Sequence, residues 1–106
     1  MDKGVKIKDL VVGSGLSAEK GKVAVIQCRT FLNRGELVGD SLITFEIGRR
    51  DVVPGLEKGI IGMKVGGVRR IRVSPHLAYR EEGVPGGIPS KAVLIFEIEL
   101  QEIRDT

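Results

Sequence analysis

Few side chains in this sequence are arranged for covalent chemistry. Ser41, Ser74 and Cys28 are the nucleophile candidates, and none has a neighbouring pattern that would arm it. His76 is the only histidine; a dyad with Cys28 would need two distant segments to meet, and His76 reads as a solvated loop residue. The carboxylates are scattered rather than clustered as metal ligands. Glu97 and Glu99 fall on the outer face of a strand, away from any paired-carboxylate arrangement. Gly13-Ser14-Gly15 lacks the Lys-Ser/Thr pair and the long helix of a phosphate loop. What these residues can build is an apolar recess, with Leu56 from a helix, Ile26, Cys28, Ile43 and Phe96 from strands, and Tyr79 and Ile88 over the rim. By periodicity alone Leu56, Ile43 and Phe96 read first as plain core. The Tyr79 hydroxyl differs: at the lip of an apolar recess it suits a main-chain carbonyl, hence a peptide-like ligand.

The segment that must position the recess is Val52 to Gly66, the only good helix candidate. Pro54 suits a first helical position, where its missing N–H needs no partner. Leu56, Ile60 and Met63 share one stripe, and Glu57 and Lys64 sit the favourable way round for the helix dipole. Gly59 and Gly62 each cost about 1 kcal/mol against Ala. A helix of about two turns with that burden survives only by packing, so a sheet must cover its apolar stripe.

The rest alternates as strands. Val5 and Ile7 against Lys6 and Lys8 give a first strand at an edge, where lysines discourage further pairing. Residues 22–32 form a long strand with Ala24, Ile26, Cys28 and Thr30 inward, ended by an Asn33-Arg34-Gly35 turn. Leu37-Val38 pairs back briefly before Gly39-Asp40-Ser41, and residues 42–47 carry clean alternation through Ile43, Phe45 and Ile47. In Val68–Val73, Ile71 and Val73 face inward; Arg69 shares their parity, which predicts a bulge or a late strand start. Arg70 and Arg72 face water, as a solvated sheet face or a surface for another partner. Residues 74–91 are the longest stretch without a core strand pattern. Leu94, Phe96, Ile98 and Leu100 then mark a central strand with one wet face. The order is α+β, with one short helix against an antiparallel sheet.

A chain of 106 residues suits one domain over residues 1–106 with one modest core. Its formal charge of +3 comes from 17 basic and 14 acidic residues interspersed, which argues against a nucleic-acid footprint. The single cysteine excludes an intrachain disulfide and a thiolate zinc site. No apolar run follows Met1-Asp2-Lys3-Gly4, and none approaches a membrane span. The expectation is a cytoplasmic monomer that binds neither membrane nor nucleic acid.

Four stretches together resemble the FKBP-type peptidyl-prolyl cis-trans isomerases, from about Gly4 to Ile103. They are Val53-Pro54-Gly55-Leu56-Glu57-Lys58-Gly59-Ile60-Ile61-Gly62-Met63-Lys64-Val65-Gly66, Arg70-Ile71-Arg72-Val73-Ser74-Pro75-His76-Leu77-Ala78-Tyr79, Gly87-Ile88-Pro89 and Leu94-Ile95-Phe96-Glu97-Ile98-Glu99-Leu100. The resemblance implies a strongly curved antiparallel sheet of five or six strands around one short helix. It implies a cleft between helix and sheet that binds Xaa–Pro segments of proline-containing peptides or unfolded clients and promotes rotation about the imide bond. No cofactor, metal or covalent step is implied.

Residue by residue, Tyr79, Phe96 and Leu56 take the places of the family's catalytic side chains. Cys28, Val38, Ile43, Val52, Val53 and Ile88 take those of its substrate-binding ones. Val52 and Val53 stand where the family's backbone meets ligand. Four positions depart: Leu56 replaces a tryptophan, Cys28 a tyrosine, Val38 a phenylalanine and Ile43 a further aromatic. A carboxylate position is shifted toward Asp40 or lost. Removing ~60–80 Å² of flat apolar wall costs roughly 1.5–2 kcal/mol, more than tenfold in affinity. The expected activity is therefore weak or altered isomerisation with weak macrolide binding, or a catalytically silent peptide-binding or chaperone-like module on the same fold.

Overall fold

Each alternating segment of the sequence becomes a strand in the computed structural model, which describes residues 4–78, 88–89 and 91–105. In chain order these are β1 (Val5–Val11), β2 (Val23–Leu32), β3 (Leu37–Glu46), helix α1 (Pro54–Ile60), β4 (Val68–Val73), a 3₁₀ turn (Pro75–Leu77) and β5 (Leu94–Arg104). They form one five-stranded sheet in the order β1-β4-β5-β2-β3, with every neighbouring pair antiparallel. As the alternation requires, β1 is an edge and β5 is interior. The inward residues Ile26, Ile71, Val73, Leu94, Ile98 and Leu100 are fully buried together with Ile47 and Ile60.

The expected strong curvature is corrected: an α+β sheet with one helix is present, but the sheet is not strongly curled. Curvature needs bulges or glycine kinks concentrated along one line. Here β4 and β5 run in unbroken register from Val68 opposite Glu99 to Val73 opposite Leu94, and each other pairing has one irregularity. A helix of seven residues, about 10 Å long at 1.5 Å per residue, is covered without a closed sheet.

Two strand readings change in detail. The segment from Leu37 to Ser41 belongs to one continuous strand, because Val38 is the extra residue of a bulge opposite Thr30 and Phe31. The inward Arg69 marks no late start: β4 begins at Val68, and the bulge lies on the partner strand, between Asp9 and Val11. Arg69 is 9 % exposed. Its guanidinium donates to the carbonyls of Gly59 at 2.8 Å and Ile61 at 3.0 Å, and pairs with Asp9 at 2.6 Å. The helix C-terminus thus finds donors for carbonyls that no turn of its own can satisfy.

The helix has about the two turns expected, but the stripe outlasts it: Met63 lies past its end, as does Gly62 with φ at +86°. Gly55 and Gly59, four apart, face the sheet. A Cβ on Gly55 would stand 2.2 Å from Val73 Cγ1, and one on Gly59 2.5 Å from Ile71 Cδ1. The glycines that weaken the helix alone are what let it lie close on β4.

Candidate functional site

Because α1 packs over β4 and β1, no helix among the described residues covers the β2–β3 half of the same sheet face. Small inward residues there, Cys28 and Ser41 directly opposite one another and Gly39 opposite Thr30, do not fill the space. The result is a cleft of about 550 Å³ between helix, loop and sheet, within the range of ligand-binding cavities. β2 contributes Cys28 and Thr30, β3 contributes Ser41 and Ile43, and β5 contributes Phe96, which stands opposite Thr30. Leu56 comes from the helix and Asp51, Val52 and Val53 from the loop before it. Leu56, Phe96 and Cys28 are each 3 % exposed and form the floor; Ile43, Val52 and Val53 are half-buried at the mouth.

The loop is held by carboxylates. Glu57, in the first turn of α1, accepts hydrogen bonds from the backbone N–H of Gly48 and, at 3.5 Å, of Arg50. Gly48 takes a φ of +99°, and Arg50 a φ of 62°. Asp51 accepts from the Glu46 N–H at 3.3 Å. Val53 turns its carbonyl to the N–H groups of Leu56 and Glu57 and starts the helix with Pro54 behind it. Among the described residues the N–H groups of Val52 and Val53 have no hydrogen-bond partner, so the mouth carries two backbone donors beside an apolar floor.

Six of the expected site residues therefore meet in one place: Leu56, Phe96, Cys28, Ile43, Val52 and Val53. Val38, displaced by its bulge, and Ile88 pack against the core and do not line this cleft. Tyr79 lies outside the described residues. Asp40 is on the opposite sheet face, where it accepts from Gln27 at 2.8 Å and pairs with Arg29 at 3.6 Å; the carboxylate at the cleft is Asp51. Thr30 was legible as inward-facing by parity; Ser41, read as part of the break before residues 42–47, reaches the cleft because β3 is continuous, and Asp51 carries no local signal.

Polar groups in the floor are few. Cys28 Sγ lies 4.0 Å from Thr30 Oγ1, and burial pushes the Cys28 thiol up from its ordinary value, outweighing that contact. The cleft thus holds a neutral thiol, two hydroxyls and the Asp51 carboxylate around a floor of Leu56 and Phe96, a surface for an apolar ring with a carbonyl attached. A wider depression of about 720 Å³ on the far side of Val52 is lined by Lys20, Arg50, Glu57 and Lys58 together with Ile47, Pro54 and Ile61; it holds none of the other expected site residues. Among the described residues no group of three or more His, Cys, Asp or Glu could hold a metal ion, and no helix is long and apolar enough to cross a membrane.

A family model described as FKBP-type peptidyl-prolyl cis-trans isomerase matches residues 15–101. The chain is similar to FK506-binding protein 4 of Dictyostelium discoideum, 43% identical over 100 residues, covering 92% of this chain and 28% of that protein. It is 38% identical over 106 residues to the 46 kDa FK506-binding nuclear protein of Spodoptera frugiperda, covering 95% and 26%. The crystal structure of AtFKBP13 superposes with a TM-score of 0.85 at 31% identity, over 92% of this chain and 91% of that one. The chain spans about a quarter of the length of the curated relatives it matches.

Proposed function

The chain belongs to the FKBP-type peptidyl-prolyl cis-trans isomerase family, and on that premise we propose that its cleft accelerates rotation about Xaa–Pro bonds, weakly or with altered specificity. The observation that carries this reading is the cleft of about 550 Å³ in which the apolar floor of Leu56 and Phe96 meets a rim of mixed polarity. The uncatalysed barrier is about 20 kcal/mol because rotation destroys amide resonance. The twisted imide has less charge separation than the planar one, so an apolar floor favours it over the ground state, and donors at the mouth stabilise the rotated carbonyl. Phe96 and Leu56 pack the proline ring, Cys28 and Ile43 flank it, and the Val52 and Val53 backbone holds the peptide. In this reading the Tyr79 hydroxyl serves a peptide carbonyl, while Val38 and Ile88, packed against the core, support the cleft without lining it.

Leu56 and Cys28 offer less flat surface than an aromatic pair, so proline peptides and macrolides bind weakly. The same feature favours a second reading, a catalytically silent peptide-binding module. The experiment is a cis–trans exchange measurement on a Xaa–Pro peptide series, alongside calorimetry. A measurable acceleration is expected, and Leu56→Trp is expected to tighten peptide and macrolide binding by about tenfold. Binding without acceleration on every peptide, at high protein concentration, would replace the isomerase with the silent module.

A further inference from the structure

The outer face of the sheet carries a row of charges crossing all five strands. In register it reads Lys8, Arg70, Glu97, Arg29, Asp40. Within the row opposite charges meet: Arg70 is 3.0 Å from Glu97 and Arg29 is 3.6 Å from Asp40. At the β1 end the alternation fails. Lys8 stands opposite Arg70 and, two residues along, Lys6 opposite Arg72. Like charges directly opposite across a ladder destabilise it. Among the described residues neither lysine has an acidic partner, and Arg72 has only a 3.4 Å hydrogen bond to Asn33.

Among the described residues β1 is also hydrogen-bonded on one side only. Half of its backbone N–H and C=O groups point away from β4, a template for another strand. On the face opposite the lysines Ile7 is 48 % exposed and Val5 partly so. The edge thus presents cations on one face, apolar side chains on the other and unpaired backbone between.

We propose that β1 docks an extended segment of a partner polypeptide in which acidic residues alternate with apolar ones. The segment adds as a sixth strand, its carboxylates opposite Lys6 and Lys8 and its apolar side chains beside Val5 and Ile7. The charge row then reads minus, plus, plus, minus, plus, minus, and each edge lysine gains a counter-charge. The lysines that repel a second copy of this edge are the ones that admit an acidic strand, so one feature supplies attraction and discrimination. A single-stranded nucleic acid suits the patch less, because among the described residues no aromatic side chain stands between the four cations to stack a base.

The test is an NMR titration of the protein with a short proline-free peptide alternating Glu and Val, and with its Lys-for-Glu counterpart. The acidic peptide is expected to shift and protect the amides of β1. Its binding should weaken at least about tenfold on going to 1 M salt, where the Debye length falls to about 3 Å. The Lys6→Glu, Lys8→Glu double variant should lose the acidic peptide at least about tenfold and gain the lysine one, with isomerase rate unchanged because both lysines lie outside the cleft. Shifts confined to the cleft, equal binding of the two peptides, or unaltered binding by the double variant would overturn the proposal. So would an oligonucleotide that binds these lysines more tightly than the acidic peptide.

Discussion

Cys28 and Arg69 are buried polar groups with opposite consequences. Burial pushes the Cys28 thiol above its ordinary value of 9.0, while the Thr30 contact pulls it down less strongly and Asp40 adds to the rise. The folded state therefore keeps a proton that the unfolded chain releases. That contribution to stability is complete below about pH 9.0 and is lost as pH rises through the folded value. Unfolding free energies measured across this window should fall more steeply for the wild type than for Cys28→Ala, and alkylation at neutral pH should wait on unfolding. Arg69 stays charged and is satisfied by two carbonyls and Asp9. Arg69→Ala strands those carbonyls and should cost about 2–4 kcal/mol in urea denaturation. Asp9 is 43% exposed, so Asp9→Ala should cost about 1 kcal/mol or less. Equal losses from the two would show that the ion pair, rather than the capping of α1, is what Arg69 supplies.

At the scale of the element, the helix is defined by what it lacks. Gly59→Ala raises intrinsic helix propensity by about 1 kcal/mol, yet the new methyl meets Ile71 Cδ1 at 2.5 Å. Overpacking of this kind costs about 1–3 kcal/mol, so the variant should be less stable by thermal unfolding; a stabilised variant would mean that helix and β4 can separate freely. This packing explains which parts of the fold were readable from sequence. Alternation through Ile43, Phe45 and Ile47, and through Leu94 to Leu100, needs only local neighbours, and those strands stand where the pattern placed them. The inward Arg69 could not be read correctly, because its partners are a carboxylate 60 residues earlier and two helix carbonyls. Val38 was misplaced because a bulge leaves no mark in composition. Asp51 reached the cleft only through the turn that Glu57 holds.

At the scale of the molecule, curvature was the feature least visible in the residues, since it depends on where three separate irregularities fall across the sheet. Strand order has its own consequence. β5 lies between β4 and β2 with Leu94, Ile98 and Leu100 fully buried, whereas among the described residues β1 pairs only with β4, is exposed beyond Val5, and returns across more than half the chain to do so. Such pairing closes a long loop before it is rewarded. Native-state hydrogen exchange should therefore resolve two tiers, with the β2 and β5 amides opening only in global unfolding and those of β1 opening at lower free energy. The Arg69 contacts to Asp9 are what oppose this fraying, so Arg69→Ala should widen the gap between tiers. Exchange of β1 at the same free energy as β5 would instead show that the edge strand folds and unfolds as one unit with the centre.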